Sequence, residues 1–468
     1  MIEKILIANR GEIAIRIMRT ARSKGIKTVA IFSEADVNAP HRYFADESYV
    51  VGAAPASVSY LDQKKIIQIA VQTQCDAIHP GYGFLSENAD FAQAVIDAEI
   101  KFVGPRPPSM RLMGDKLAAK QLAEEMKIPL LPGGKEAISE LEIAEEMAAS
   151  IGYPILLKAA GGGGGKGMRV VQDPVQLADA FKLASSEAMQ SFGDPRVFVE
   201  KYLAAPRHIE IQVMADQQGN VVHLYERDCS IQRRHQKVIE ESPATSLTES
   251  IRSRICEAAV KITQACQYIG AGTLEFLVDK NGNFYFLEMN TRLQVEHPVT
   301  ESITGIDLVG WQIDIANGLP LPLQQHEINA KGHSMELRIY AEDPLDQFNP
   351  SLGLIELYRE PEGTGIRVDS GIKQAYEIPI YYDPMLAKLI VWAPTRTEAI
   401  ALMRSAIKNY HIIGVTTTLP FGLFVCEHEA FIGGSYDTHF VEKYFNAETF
   451  SVWNESKTQV AAMVAAML

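Results

Sequence analysis

The spacing of apolar residues divides the chain into regions of different rhythm. Over roughly the first 112 residues, short apolar runs at 5–8 and 28–32 predict strands. Amphipathic stretches at 13–23, stopping at Gly25, and after Asp62 predict helices. Strands alternating with helices point to a parallel, doubly wound α/β unit. The proline-rich Gly104-Pro-Arg-Pro-Pro108 marks its end. Gly114-Asp-Lys116 then opens a helix to about residue 126, and strands are predicted at 155–160 and 168–171 around five consecutive glycines, Gly161 to Gly165. A short strand follows at 197–203, and His208-Ile-Glu210-Ile-Gln212-Val alternates polar with apolar. Asn317-Gly-Leu-Pro-Leu-Pro322 closes this middle region. Beyond it, Ser334-Met-Glu-Leu-Arg338-Ile-Tyr340 places Glu336, Arg338 and Tyr340 on one strand face, and short strands run to about residue 391 before two helices. Residues 459–468, rich in Ala, Met and Val, read as a helix packing on the body or on a partner.

The most informative alternation spans residues 284–296. Glu288, Asn290, Arg292, Gln294 and Glu296 are polar, while Met289, Leu293 and Val295 between them are apolar. An extended chain sends these two sets to opposite faces, so two carboxylates, two amides and a guanidinium line one surface. Upstream, 273–278 reads as a strand and Asn281-Gly282 as a two-residue hairpin turn. Centring the hairpin there sets Glu275 opposite Glu288, with side-chain origins roughly 5 Å apart. Together with the Asn290 amide they form an all-oxygen set suited to Mg²⁺ or Mn²⁺ shared with substrate phosphates. A surface hairpin carrying a solvated acidic pair satisfies the same pattern.

Other stretches add chemistry. His79-Pro-Gly-Tyr-Gly-Phe-Leu-Ser-Glu87 is a glycine-punctuated loop at a strand end, where α/β sheets place ligand contacts, or simply a turn. Lys116 sits in the first turn of its helix, where a cation and free amides together hold an anion, unless it is an ordinary surface lysine. The glycine run does not fit a P-loop, because Ala160 stands where the first glycine should be and Gly167 where Ser or Thr should follow Lys166. Gly162, Gly164 and Gly167 match G-x-G-x-x-G, but the run enters a strand rather than a helix. The remaining reading is a hairpin whose tip closes over polyphosphate, with Lys158 at the strand end to meet phosphate oxygens. Residues 197–203 lead to backbone able to contact an adenine edge. Gln232-Arg-Arg-His-Gln-Lys237 is a basic run suited to bicarbonate and phosphates.

Composition narrows the class. The 468 residues carry 47% hydrophobic and 22% charged residues and a net charge of −14, ordinary for a soluble protein and unfavourable for nucleic-acid binding. Five dispersed cysteines without C-x-x-C spacing argue for a reducing, cytoplasmic compartment with neither disulfide framework nor zinc site. Apolar runs fall short of a membrane span, and the first strand leaves no room for a leader.

With Lys116, Lys158, the glycine lid, Glu275, Glu288 and Arg292-Leu-Gln-Val-Glu-His297 assembled, residues 1–446 resemble biotin carboxylase, the ATP-grasp component of biotin-dependent carboxylases. The resemblance implies a Rossmann-like N-terminal domain (1–112), an ATP-grasp domain (113–328), a C-terminal domain built on an antiparallel sheet (329–446) and a tail (447–468). It implies that Lys116, Lys158, His208 and Gly163, Gly164 and Gly165 hold ATP phosphates, that Glu200, Lys201 and Leu203 meet adenine, and that Gln232 and His235 belong to the nucleotide side. Glu275, Glu288 and Asn290 would bind two Mg²⁺ or Mn²⁺ ions. Lys237, Arg292, Gln294 and the Val295 backbone would hold bicarbonate, Glu296 would deprotonate it, Arg338 would face the ureido oxygen of biotin, and Tyr82 would lie beside the biotin pocket. Glu125-Met-Lys-Ile128 resembles a biotinylation core but lies in a predicted helix, and no carboxyltransferase region is present. The partners expected are therefore a biotinylated carrier and a carboxyltransferase subunit, with a homodimer as the assembly. Tyr381-Tyr-Asp-Pro-Met-Leu-Ala-Lys388 leans towards propionyl-type acyl-CoA carboxylases. Two other readings remain: an ATP-grasp ligase of the carbamoyl-phosphate-synthetase type, and a nucleotide-sensing subunit without turnover.

Overall fold

The computed structural model describes residues 1–134, 136–160, 168–234 and 236–454. The first sheet holds β1 (Lys4–Ile7), β2 (Lys27–Ser33), β3 (Glu47–Gly52), β4 (Ala77–His79) and β5 (Lys101–Phe102), all parallel, in the order β3-β2-β1-β4-β5. Its apolar strands lack alternation because both faces are covered: Ile5 and Ile7 enter one core, Leu6 and Ala8 another. The first helix, Gly11–Ser23, begins two residues earlier than the periodicity suggests, just after the β1 turn, where Gly11 takes φ +65°. The Asp62 side chain caps the Gln63–Gln72 helix by accepting from the Lys65 N–H.

A three-stranded antiparallel sheet follows, β6 (Ile155–Ala159), β7 (Met168–Val171) and β8 (Val197–Lys201), with β6 in the middle. β6 and β7 pair Lys158 with Met168, and the glycine tip between them lies outside the described residues. The Lys116–Glu125 helix starts where expected but stops short of residue 126, and Lys127 follows at φ +57°. Lys127 is thus neither helical, as expected, nor on a hairpin.

The largest sheet takes β9 (Arg207–Ala215), β10 (Val221–Arg233), β11 (Gln236–Ser242), β12 (Gly270–Val278), β13 (Phe284–Asn290), β14 (His333–Tyr340) and, after the short strands β15 (Glu342–Asp343), β16 (Asn349–Pro350) and β17 (Leu357–Arg359), β18 (Ile366–Ser370) and β19 (Met385–Ala393). Its order is β13-β12-β9-β10-β11-β14-β19-β18, antiparallel throughout. Strand β14 therefore starts no separate sheet: it hydrogen-bonds to β11, Ile239 facing Leu337 and Glu240 facing Glu336. Met335, Leu337 and Ile339 pack with Leu389 and Val391 under the Arg396–Lys408 and Leu419–Glu427 helices. Two shorter helices, Glu429–Ile432 and Phe440–Tyr444, accompany those two, and residues 447–454 are helical as well, so among the described residues the closing segment holds more than the two helices expected. The opposite face of β14 and β19, carrying Glu336, Arg338 and Lys388, lies under the His297–Thr304 helix.

The β12–β13 hairpin does place Glu275 opposite Glu288, though its turn is not the expected two-residue one. Val278 pairs with Phe284, leaving a five-residue tip closed by the Asp279 N–H to the Asn283 carbonyl at 2.9 Å. An irregularity between Glu275 and Phe276 then leaves Leu287 as an extra residue on β13, and this shift cancels the error at the turn. The 284–296 segment also does not stay extended: β13 ends at Asn290, and the chain bends through 291–296 into the helix that begins at His297. Among the described residues no helix is long and apolar enough to cross a membrane.

Candidate functional site

Neighbouring strands bring three carboxylates into one row, because Glu210 on β9 pairs with Glu275 on β12, which pairs with Glu288 on β13. Such a row is unfavourable without cations between its members. Lys237, on β11, supplies one: its Nζ contacts Glu210 and lies 3.0 Å from Glu275 and 2.9 Å from Glu296. Arg227, fully buried on β10, lies 3.3 Å from Glu210, and His208 Nε2 lies 3.0 Å from Glu275. Burial alone would raise Glu275, yet Lys237 and His208 hold it well below the usual carboxylate range. Glu288 is raised instead, by burial and then by Glu275, with Lys116 opposing.

That asymmetry tests whether a divalent cation fits. A pair of facing carboxylates, one of them pushed up by the other, is relieved by a cation between them, and the donors are hard oxygens. Asn290 completes the set differently from expectation: its amide nitrogen donates to Glu275 at 2.8 Å, while its oxygen accepts from Arg292 at 2.8 Å. The ligand atoms of His208, Glu210 and Glu275 also lie within 4.8 Å of one another.

After the bend, Arg292, Gln294 and Glu296 turn back to this row. The Gln294 amide donates to Glu275 at 3.0 Å and its oxygen accepts from Arg227. Arg292 donates from Nε to Glu87 at 2.9 Å, tying the His79–Glu87 loop of the N-terminal unit to the site. Glu296 is clamped between Lys237 at 2.9 Å and Arg338 at 2.8 Å, and Arg338 also donates to Glu240 at 2.6 Å. Burial would push Glu296 up, but Lys237, Arg338 and Arg227 hold it well below its usual range, so it stands ionised. Tyr82 is half-buried, its ring 5.9 Å from Lys388 Nζ.

The expected nucleotide side is more open. Lys116 is the first residue of its helix, whose N-terminal amides Leu117 and Ala118 are already taken by Asp115. Lys158 pairs with the Glu200 carboxylate, as does Lys120, and the two lysines hold Glu200 down to about 2 against its burial. In this state the Glu200 side chain thus engages two lysines. Lys201 donates to the carbonyls of Gly152 and Tyr153, both at 2.9 Å, and half-buried Leu203 follows where the chain leaves β8. The Gln232 amide nitrogen lies 3.1 Å from His208 Nδ1 and donates to the Cys229 carbonyl at 2.7 Å. Gly163, Gly164, Gly165 and His235 lie outside the described residues.

Sequence reasoning assigned no role to Arg227, Glu240, Glu87, Lys120 or Lys388. Glu87 and Lys388 left a signal, each as the end of a stretch already singled out. Lys388 is fully buried and donates to the Val295 carbonyl at 2.8 Å, so the lysine of the Tyr381–Lys388 string supports this site.

Three family models match the chain in succession: "Biotin carboxylase, N-terminal domain" over 1–110, "Carbamoyl-phosphate synthase L chain, ATP binding domain" over 115–324 and "Biotin carboxylase C-terminal domain" over 336–443. The chain is 49% identical over 471 residues to a pyruvate carboxylase subunit of Methanothermobacter thermautotrophicus, covering 100% of this chain and 96% of the relative. It is 50% identical over 449 residues to the biotin carboxylase of Halalkalibacterium halodurans, covering 96% and 99%. The methylcrotonoyl-CoA carboxylase α chains are longer, and this chain spans 63% of that of Dictyostelium discoideum. Among solved structures, the biotin carboxylase domain dimer of Hydrogenobacter thermophilus 2-oxoglutarate carboxylase, in complex with MgADP, ADP and bicarbonate, superposes with a TM-score of 0.91 at 45% identity, covering 96% of this chain and 99% of that one.

Proposed function

Because the chain belongs to the biotin carboxylase family, we propose that it carboxylates biotin on a carrier protein, using ATP and bicarbonate, as the first half-reaction of a biotin-dependent carboxylase. The observation that carries this reading is the buried, ionised Glu296 held between Lys237 and Arg338. A carboxylate so placed accepts the bicarbonate proton once the anion, held also by Arg292, draws Lys237 towards itself, because losing a cationic partner raises its basicity. Gln294 and the Val295 N–H orient the anion, while Lys116, Lys158, His208 and the glycine lid hold the ATP phosphates. Glu200, Lys201 and Leu203 take the adenine, with Gln232 and His235 on the same side. Glu275, Glu288 and Asn290 would hold Mg²⁺ or Mn²⁺, which neutralises phosphate charge during transfer.

Attack of bicarbonate on the γ-phosphate yields ADP and carboxyphosphate, which decays to CO₂ and phosphate; the phosphate takes the biotin N1′ proton and the nitrogen attacks CO₂. Arg338 stabilises the negative charge on the ureido oxygen and Tyr82 borders the biotin. Water must be kept out during this interval, which is the task of a closing lid.

This reading divides the chain at 112, 328 and 446, and supplies a biotinylated carrier, a carboxyltransferase partner, a second copy of the chain and a cytoplasmic setting. The model for a carbamoyl-phosphate-synthase ATP-binding domain covers only the middle of the chain, and Arg338 lies beyond it, so the ligase alternative leaves that residue without a task. The test is ADP release from ATP and Mg²⁺ with bicarbonate, with and without biotin, while carboxybiotin is trapped. Biotin-stimulated turnover with carboxybiotin formed supports the reading. Turnover indifferent to biotin transfers it to the ligase class.

A further inference from the structure

Bicarbonate recognition as proposed above uses the Val295 backbone N–H, and a backbone donor aims only where its peptide plane is held. We infer that His297 is the positioning residue for that plane. Its Nδ1 lies 2.8 Å from the Gln294 carbonyl oxygen. A carbonyl can only accept, so Nδ1 carries the proton and donates. The Gln294 carbonyl and the Val295 N–H belong to one planar trans peptide and point in opposite directions. The His297 backbone N–H reaches the same carbonyl at a longer 3.3 Å. Holding the carbonyl against the buried imidazole therefore turns the Val295 N–H the other way, which on the proposed reading is the side of the anion. Among the described residues that N–H has no acceptor.

The surroundings keep the imidazole in this form. His297 is fully buried, and burial together with Lys388, Arg16 and Arg367 holds its pKa well below the usual histidine value, leaving the ring neutral. Glu301 lies 4.0 Å from Nε2, which among the described residues accepts no hydrogen bond. Lys388 holds the next carbonyl, that of Val295, at 2.8 Å, so two successive peptide planes are fixed from behind. Lys388 also meets Glu12 at 3.3 Å, and its removal would disturb more than the clamp.

This inference rests on the biotin carboxylase reading, and the experiment separates the two. Wild type, His297→Leu and His297→Asn are compared for KM of bicarbonate, KM of ATP and thermal melting. His297→Leu raises the bicarbonate KM about tenfold, the effect of one lost hydrogen bond, with the ATP KM within about twofold. His297→Asn, whose amide nitrogen sits near the place of Nδ1, restores most of the loss. An unchanged bicarbonate KM in the folded leucine variant, equal rises in both KM values, or no rescue by asparagine each overturns the assignment. A wild type without bicarbonate-dependent turnover overturns the functional reading and this inference with it.

Discussion

The two ends of the proposed site are built on different principles. At the small-anion end, Lys237, Glu296 and Arg338 stand on or against the eight-stranded sheet, nearly closed to solvent, each charge answered by another at hydrogen-bond distance. At the nucleotide end, Lys158 and Lys120 are about a quarter to a third exposed, at 23% and 31%, on and beside the small three-stranded sheet, and share one carboxylate, Glu200. The closed end is preorganised, since its donors already occupy rigid positions and its neighbours are themselves held by Glu240, Arg227, His297 and Lys388. On the proposed reading, the open end must exchange partners before its lysines meet phosphate. On the same reading, a reaction that needs a short-lived intermediate shielded from water is served by this division: charges already paired off where the chemistry occurs, and lysines that trade one carboxylate for the nucleotide.

The contrast breaks most sharply at Glu296. Glu296→Ala is expected to lose at least about 100-fold in turnover while keeping its KM for ATP, as for a lost general base. Near-normal turnover in steady-state assays removes it from the mechanism. Arg338→Ala follows, with biotin carboxylation falling on the order of 100-fold and bicarbonate-dependent ATP cleavage much less. Equal losses in the two assays would mean that Arg338 serves only the Glu296 ion pair.

At the open end, Lys158→Ala is expected to raise the KM of ATP about tenfold, as for a lost hydrogen bond to a charged group, with the KM of bicarbonate within about twofold. A comparable rise in both would show that the ends are not separable. The effect with the least bearing on turnover concerns stability away from both ends. His41, fully buried beside Arg10, accepts from the Gly11 N–H at 3.4 Å through Nδ1 and contacts the Ile31 carbonyl at 3.2 Å through Nε2. Burial lowers its pKa from 6.5 to about 4, so the unfolded chain binds a proton that the folded protein refuses over that range. Its contribution, on the order of 3 kcal/mol, is present above pH 6.5 and lost as pH falls through about 4. His41→Gln should flatten the dependence of Tm on pH between these values without altering KM for either substrate at pH 7, and an unchanged slope in melting scans would assign the acid sensitivity elsewhere.

Local pattern settled a good deal of this protein. Apolar runs without alternation announced the parallel N-terminal sheet, because strands buried on both faces carry no polar side. Alternation in β9, β13 and β14 set His208, Glu210, Glu288, Glu336 and Arg338 on the faces they occupy, since side-chain direction follows from two-residue periodicity whatever the neighbours are. What alternation could not convey was adjacency. That β14 joins β11, that Glu210 continues the row of Glu275 and Glu288, and that Lys237 rather than solvent balances the row are consequences of strand order, which pairs residues dozens to nearly a hundred positions apart. The bend after Asn290 was invisible for the same reason, because it is held by Arg227, Arg338, His297 and Lys388, contributed by elements before and after it. Which residues face a site is therefore written locally, in steric periodicity, while which charges meet there was decided only when the folded chain brought distant strands side by side.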